Sequence, residues 1–270
     1  MIQSIRPAAV AGMFYPESAT VLAREVERML AAASPQAKTP RPKAIIVPHA
    51  GYVYSGPVAA SIYAPLIALR GTISRVVLLG PTHRVAVDGL ALPASRAFAT
   101  PLGMIPVDQR AVAAIDDLPQ VIVSEAAHAQ EHSLEVQLPF LQAVLGDFSL
   151  LPLAVGDASP QAVAQVLERL WGGDETLIVV SSDLSHYLPY GQARRIDAQT
   201  AQSIVDLDPQ IDHQQACGAT PVNGLLLAAR AHGLQGQLLD LRNSGDTAGD
   251  KARVVGYGAF AFSEEEHHVH

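Results

Sequence analysis

Four short runs of apolar residues show no polar alternation, at residues 44–47, 76–79, 150–155 and 177–180. Uninterrupted Val, Ile and Leu are typical of strands that are covered on both faces, whereas a half-exposed strand alternates apolar and polar positions. The pattern therefore predicts four buried strands. A fifth run, residues 254–262, alternates with small residues and predicts a closing strand that could run antiparallel.

Helical patterns separate these strands. Residues 18–33 carry apolar side chains at helical spacing, and Ser18 is a suitable N-cap. Proline at position 160, directly after a serine, predicts the start of a second helix. Residues 221–232 begin with proline and predict a third helix, which Gly233 ends. The glycine-punctuated residues 243–250 are expected to form a turn.

Strands that alternate with helices predict an α/β fold. We expect a single domain over residues 1–262, with a central mainly parallel sheet flanked by helices. Residues 263–270 are expected to form a flexible tail.

The composition excludes several classes of protein. The 270 residues are 49% hydrophobic, enough to bury a sizeable core, and the formal net charge is -8. Because no basic stripe is present, nucleic acid is not an expected partner. Cys217 is the single cysteine, and neither a signal peptide nor an apolar run of membrane-spanning length is apparent. A soluble protein of the reducing cytoplasm, with no membrane partner, is expected.

Three histidines each follow the end of a predicted strand: His49, His83 and His186. In an open α/β sheet the strand ends border the ligand crevice, so residues far apart in sequence can converge there. Any one such histidine is more readily explained by hydrogen bonding within a tight loop. The repetition of strand, turn and histidine nevertheless favours a shared site, and imidazole chemistry suggests a metal.

Two further pairs have the spacing of acid-base groups. Asp183 lies three residues before His186 and would orient it, or act beside it, if the segment turns helically; alternatively Asp183 only caps a helix. His132 and Glu135 are also three residues apart and lack the second histidine of a zinc-protease motif. His128 lies in an alanine-rich connection and is expected at the surface.

Cys217 lies just before the helix predicted from Pro221. A helix N-terminus lowers a thiol pKa from about 8.5, which would make Cys217 a better ligand or nucleophile. The alternative is a buried, inert cysteine. Two imidazoles with one thiolate suit iron, copper or zinc, and do not suit magnesium or calcium.

Together these segments resemble the Memo family, whose bacterial and archaeal members are called AmmeMemoRadiSam system protein B. The matching stretches run in order along nearly the whole chain: residues 9–16, 48–56, 80–83, 131–140, 181–186, 217–221, and 244–246 through 254–257. The resemblance implies a fold like that of the class III extradiol dioxygenases (LigB-like), which open catechol rings with non-haem iron.

The same resemblance implies roles for individual residues. They are metal binding for His49, His83 and Cys217, a pocket-lining position for Asp183 and His186, and a position close to the site for His132. We expect catalytic roles for His186, Asp183 and His132, and substrate contact for Tyr54 and Glu131. A ring-cleaving dioxygenase would offer two histidines and a carboxylate to iron, whereas the third matched position here is a cysteine. Ring cleavage is therefore in doubt, although Asp183 could supply an oxygen ligand.

Three functions follow as hypotheses. The first is a metal-dependent, dioxygenase-like oxidoreductase with iron or copper as cofactor. Because Memo relatives in animals are associated with phosphotyrosine peptides, the second is a non-catalytic module that binds a ligand or phosphopeptide in the same crevice. Phosphate recognition favours arginine clusters, and only Arg84 lies beside the motifs. The third is zinc-dependent hydrolysis, for which no nucleophile elbow is recognisable.

The family label also implies a functional link with a radical-SAM protein and an AMMECR-like protein. Whether the substrate is a small molecule or a peptide stays open.

Overall fold

A computed structural model describes residues 4–33 and 41–264. The strands are β1 (Ile5–Arg6), β2 (Ala44–Val47), β3 (Arg75–Pro81), β4 (Leu90–Leu92), β5 (Ala97–Thr100), β6 (Gly103–Pro106), β7 (Val121–Val123), β8 (Ser149–Val155), β9 (Thr176–Ser181), β10 (His186–Leu188), β11 (Gln235–Asn243) and β12 (Val254–Ser263). The α-helices are α1 (Ala19–Ala32), α2 (Tyr52–Tyr63), α3 (Gln109–Ala113), α4 (Glu125–Ala129), α5 (Leu138–Leu145), α6 (Pro160–Leu170), α7 (Tyr190–Val205), α8 (Ala219–Ala231) and α9 (Ser244–Thr247).

The strands form one large sheet and one small sheet. The large sheet has the order β10-β12-β2-β9-β3-β8-β4-β7, with β11 also paired to β12, and the small sheet has the order β1-β5-β6. The central strands β2, β9, β3 and β8 are mutually parallel. Antiparallel pairing appears on both sides of them, between β12 and β2 and between β4 and β8. The α/β fold class predicted from the sequence is confirmed, with parallel pairing concentrated at the centre of the sheet.

Both faces of the central strands are covered, which explains their uninterrupted apolar sequences. Along β2, Ile45 and Val47 belong to a core cluster with residues of α1, α2 and α5. Ala44 and Ile46 belong to a second cluster with residues of α6 and α8. Because successive side chains of a strand point to opposite faces, a strand that serves two cores has no polar face to display.

The predicted elements are found with small shifts at their ends. The strands predicted at 44–47, 76–79, 150–155 and 177–180 correspond to β2, β3, β8 and β9. The helix predicted from Pro221 begins two residues earlier, at Ala219. Residues 243–250, predicted as a turn, contain the short helix α9, because the side chains of Asn243 and Asp246 cap each other's backbone.

The closing strand is antiparallel to β2 and continues to Ser263. The predicted tail therefore begins at least one residue later than expected, and residues 265–270 lie outside the described residues.

One helical stretch, Tyr52–Leu69, is long and apolar enough to cross a membrane by length and composition, with a mean hydropathy of 1.3. This corrects the expectation that no apolar run reaches that length. Half of the stretch is buried within the fold, because α2 packs into the core beside α1 and α5. Such burial is typical of a core helix.

A buried ion pair fastens the N-terminal segment to the rest of the fold. The Arg6 guanidinium donates to the Glu135 carboxylate, and neither side chain is more than 1% exposed. Arg6 also donates from Nη2 to the backbone oxygen of Glu131 (2.7 Å) and from Nε to that of His128 (3.0 Å). A buried charge is tolerated only when it is paired and hydrogen-bonded, and this pair meets both conditions.

The Glu135 carboxylate collects further donors from the N-terminal segment. It accepts hydrogen bonds from the backbone nitrogens of Ala9 (2.8 Å) and Val10 (3.0 Å) and from the hydroxyl of Tyr15. Residues 6–15 are therefore held against the segment that carries Glu131 and His132.

We predict that Arg6→Met lowers the free energy of unfolding by about 3–5 kcal/mol, because Glu135 would be left buried without its cation. Denaturant unfolding followed by circular dichroism measures the change. Arg169→Ala is the control: its ion pair with Asp117 is exposed at 48% and 61%, and its loss should cost about 1 kcal/mol or less. Equal stability of the two variants would contradict the prediction.

Candidate metal centre

Three neighbouring parallel strands deliver polar residues to one edge of the sheet. In the order β2, β9 and β3, the strand ends are followed by His49, Asp183 and His83. The ring centroids of His49 and His83 are 5.3 Å apart. The structure thus brings together residues that are up to 134 positions apart, as expected for the carboxyl edge of a parallel sheet.

His132 completes a group of three imidazoles. Its ring centroid lies 5.4 Å from that of His49 and 4.6 Å from that of His83. One ring nitrogen from each of the three histidines lies within 4.8 Å of the others, a spacing that could hold a metal ion. The Nδ1 atom of His132 is buried and makes no hydrogen bond among the described residues, although Oε1 of Glu131 lies 3.3 Å away. A buried imidazole nitrogen without a hydrogen bond, beside two further imidazoles, fits a metal ligand set.

The loop that carries His132 reaches the site because β3 has a glycine at the point of contact. A Cβ atom at Gly80 would lie 2.8 Å from the Oγ of Ser133, closer than carbon and oxygen approach. The Ser133 hydroxyl donates to the backbone oxygen of Pro81 (2.9 Å). Gly80 therefore permits the close packing of residues 131–133 against the end of β3.

Glu131 orients this part of the site. Its carboxylate accepts hydrogen bonds from the backbone nitrogen of His83 (2.6 Å), the Nδ1 of His83 (2.9 Å), and the backbone nitrogens of His132 and Ser133 (2.9 Å each). Burial acts to raise the pKa of Glu131, but these hydrogen bonds and the charge of His83 outweigh it and lower the pKa to about 2. With Nδ1–H donated to Glu131, the Nε2 of His83 keeps a lone pair for a ligand.

Substrate contact was predicted for Glu131, whereas in the structure both of its oxygens accept hydrogen bonds from the protein and it is 2% exposed.

A hydrogen-bond chain fixes the tautomer of His49. The Tyr63 hydroxyl donates to Oε1 of Gln137 (2.9 Å), so Nε2 of Gln137 donates to the Ser181 hydroxyl (2.8 Å). Ser181 uses its own hydrogen on the backbone oxygen of Ser133 (2.6 Å). Towards His49 Nδ1, 2.9 Å away, Ser181 can therefore only accept. Nδ1 of His49 carries the hydrogen, and its Nε2 carries the lone pair.

His49 is a neutral imidazole. Burial lowers its pKa well below the usual 6.5, and the nearby rings of His132, His83 and His186 lower it further. A neutral imidazole with a free lone pair is the form that binds a metal.

Cys217 lies next to this lone pair. Its Sγ is 3.3 Å from Nε2 of His49 and 3.9 Å from the hydroxyl of Ser182. Burial, assisted by the charge of Asp183, raises the pKa of the thiol to about 12. The lowered pKa predicted from the helix N-terminus is therefore wrong for the metal-free protein, because desolvation outweighs the effect of α8.

Asp183 and His186 do not form the predicted pair. Residues 182–185 form an irregular segment and not a helix, because the backbone of Leu184 and Ser185 pairs with Gly256 of β12. The Asp183 carboxylate instead accepts from the backbone nitrogen of His49 (2.7 Å), and burial raises its pKa to about 7. No hydrogen bond joins Asp183 to His186 in the described part of the chain.

His186 lies at the edge of the cluster. Burial lowers its pKa, and the charge of His83 adds to this effect. Tyr54 lies in the first turn of α2 and is 39% exposed. It is close enough to Tyr257 to contribute to the raised pKa of that residue, after the larger effects of burial and of Asp183. His186 is partly buried and Tyr54 is exposed, so both can be reached from solvent.

His128 is buried and not at the surface, in contrast to the prediction. It is 1% exposed, and its Nε2 is 2.8 Å from the backbone oxygen of Ala91. It packs edge-on against Phe98 and does not join the three clustered histidines.

Asp197 is a supporting residue that the sequence did not reveal. From α7 its carboxylate accepts a hydrogen bond from the backbone nitrogen of Ser185 (3.0 Å), and it is 2% exposed. Its oxygens pack so closely on Gly256 that a Cβ atom there would lie 2.1 Å away. Asp197 thereby holds the segment between Asp183 and His186 against β12. An acidic residue within a polar helix pattern gives no sequence signal for such a role.

A known protein family matches nearly the whole chain. The family model described as Memo-like protein matches residues 6–261. The chain belongs to the Memo family. It is 36% identical to a MEMO1 family protein of Ignicoccus hospitalis over 283 residues, covering 96% of this chain and 98% of the relative. A MEMO1 family protein of Aquifex aeolicus is also 36% identical, over 271 residues, covering 96% of this chain and 99% of the relative.

Among solved structures, the Memo-family chain is similar to an uncharacterized protein from Escherichia coli K12. The TM-score is 0.51 at 14% sequence identity, and the match covers 79% of this chain and 98% of that one. At this identity the likeness concerns the fold alone.

We predict that His49 and His83 are both Nδ1–H tautomers in the metal-free protein, because Ser181 and Glu131 can only accept there. Long-range proton–nitrogen NMR correlations distinguish the tautomers. Ser181→Ala should remove the preference at His49 and leave His83 unchanged. An Nε2–H tautomer at His49 in the wild type would contradict the assigned network.

We predict that Asp197 makes stability depend on pH. Burial raises its pKa to about 6 from an unfolded value of 3.8, so the folded state binds the proton more tightly. The stabilisation from this bound proton is therefore fully present below about pH 4 and is lost as the pH rises through about 6. Asp197→Asn keeps the shape of the side chain and cannot titrate, so the fall in the free energy of unfolding between these pH values should be smaller by about 2 kcal/mol. Denaturant unfolding at several pH values measures the slope, and an unchanged slope in the variant would refute the prediction.

Proposed function

We propose that the histidine cluster binds one iron or copper ion and that the protein is a metal-dependent oxidoreductase. The observation that carries the proposal is the convergence of His49, His83 and His132 within metal-binding distance of one another. Two of these rings have Nδ1–H bound to the protein, which leaves Nε2 available as a ligand atom. Imidazole ligands suit iron, copper and zinc.

The third ligand is either His132 or Cys217. His132 is supported by its place in the cluster and by the lack of a hydrogen bond to its buried Nδ1. Cys217 is supported by the family resemblance and by the 3.3 Å distance from its Sγ to Nε2 of His49. A thiolate bound to a metal is deprotonated, so loading the metal would reverse the raised pKa of this thiol.

The surrounding residues supply orientation and proton storage. Glu131 and Ser181 fix the ring planes of His83 and His49, as carboxylate and hydroxyl partners commonly do in metal sites. In the metal-free protein the Asp183 carboxyl group, with a pKa of about 7, holds a proton near neutral pH. His186 is neutral there and is the nearby base that could accept one. Bound iron or copper would supply Lewis acidity and one-electron chemistry.

The test is metal loading of the protein purified anaerobically and without a tag. We expect the wild type to retain stoichiometric iron or copper, and His49→Ala and His83→Ala to bind it at least about tenfold more weakly. His132→Ala and Cys217→Ser are compared with each other, and the larger loss of affinity identifies the third ligand. His232→Ala, which alters a histidine paired with Glu168 on α6, is the matched control and should bind like the wild type.

Each result has a definite meaning for the proposal. Absence of stoichiometric metal after reconstitution, or equal retention by the histidine variants, would overturn it. Retention of zinc in preference to iron and copper would replace the redox function by hydrolysis. Dioxygen uptake by the iron-loaded protein in the presence of a catechol would support dioxygenase-like chemistry.

A further inference from the structure

Two non-glycine residues in the described ranges have a left-handed backbone, Tyr187 (φ 59°) and Leu207 (φ 57°). Leu207 follows the C-terminal end of α7, where this conformation commonly ends a helix. Tyr187 lies instead within β10, at a bulge between His186 and Leu188 in the pairing with β12. A residue with a side chain adopts this conformation at an energetic cost that glycine avoids.

The side chain of Tyr187 does not compensate for this cost by burial. It is 62% exposed. A bulge turns its extra residue away from the regular strand, and here the Tyr187 ring lies edge-on to His186 with 5.7 Å between ring centroids. An exposed aromatic side chain on strained backbone beside a candidate site points to a role in binding.

Positively charged groups stand against two tyrosine rings of this segment, Tyr187 and Tyr190. The guanidinium carbon of Arg253 is 5.1 Å from the ring centroid of Tyr187. The Tyr190 ring lies 4.6 Å from Nζ of Lys251 and 5.8 Å from the guanidinium carbon of Arg194. In the sequence, only Arg84 lies beside the motifs of the candidate site. The fold brings three further cations, Arg194, Lys251 and Arg253, close to the two tyrosine rings.

The three cations have no ion-pair partner within residues 4–33 and 41–264. The neighbouring acidic groups are occupied: Asp246 accepts the Tyr190 hydroxyl (2.5 Å) and the backbone nitrogen of Asn243, and Asp250 accepts the backbone nitrogen of Ala252 (2.7 Å). In a chain with a net charge of -8, unpaired cations grouped around Tyr187 and Tyr190, of which Tyr187 contacts His186, favour an anionic ligand.

We propose that Tyr187 and Arg253 form an outer subsite that binds the carboxylate or phosphate group of a planar small-molecule substrate and directs the remainder towards the histidine cluster. A guanidinium offers two parallel donors to either anion, and the tyrosine ring offers a face for stacking. This proposal gives the substrate class of the metal pocket proposed above, so the role of the subsite in turnover rests on the proposed function. Binding of the anion itself does not depend on the proposed function.

The test uses benzoate, phenyl phosphate and the neutral isostere benzamide as probes, with binding measured by titration calorimetry before and after metal loading. We expect the wild type to bind benzoate or phenyl phosphate more tightly than benzamide, and the preferred anion identifies a carboxylate or a phosphate substrate. Arg253→Gln and Tyr187→Gly should each weaken anion binding by about tenfold or more.

Tyr187→Gly separates a binding role from a structural one. Because glycine accepts the left-handed backbone, this variant should unfold at no lower denaturant concentration than the wild type while losing affinity for the anion. Leu207→Gly is the matched control, since it makes the same backbone change at the end of α7 and should bind the probes like the wild type.

The subsite is refuted if the Tyr187 and Arg253 variants bind the anions like the wild type, if benzamide binds as tightly as the anions, or if the wild type binds neither anion. Metal content is measured in every variant and should match that of the wild type. Failure of the wild type to take up metal would overturn the metal proposal alone, because the titration of the metal-free protein decides the anion subsite independently.

Discussion

The segment from Glu131 to Glu135 buries two carboxylates, and their demand for hydrogen-bond donors organises the surrounding structure. A buried carboxylate without donors would be severely destabilising. Glu135 draws in Arg6 and the N-terminal backbone, whereas Glu131 draws in His83 and the backbone of its own loop. The same five residues therefore join the start of the chain to the candidate metal site. The link to the N-terminal segment and the link to the metal site both require residues 131–135 to pack on β3.

The sequence was sufficient for the strands and for the edge of the sheet on which the site lies, because both follow from periodicity and parallel topology. It was not sufficient for the environment of each side chain. The raised pKa of Cys217 depends on burial beside Asp183, and the partner of Asp183 is a backbone nitrogen of another strand end. The grouping of His132 with two strand-end histidines depends on how a loop packs against Gly80. Such contacts join distant parts of the chain and leave no local pattern.

The pocket and its opening have different electrostatic characters. Inside, burial keeps His49, His132 and the Cys217 thiol neutral in the metal-free protein. At the opening, Arg253 and its neighbours carry unpaired positive charge. Neutral ligands inside avoid repulsion of an incoming cation, and a positive opening attracts an anionic molecule over a longer range. The two requirements are met at separate depths of one crevice.

The hydrogen-bond chain from Tyr63 through Gln137 and Ser181 to His49 crosses the interior of the protein. Tyr63 is fully buried at the C-terminal end of α2, among core residues and away from the crevice. Loss of its hydroxyl would leave Oε1 of Gln137 without this donor, whereas Nε2 of Gln137 would still donate to the backbone oxygen of Pro48 (2.9 Å) and Ser181 to that of Ser133 (2.6 Å). Two backbone carbonyl groups, which no side-chain substitution removes, therefore keep His49 in the form that can bind a metal, and a change at Tyr63 would affect the stability of the core and not the chemistry of the histidine.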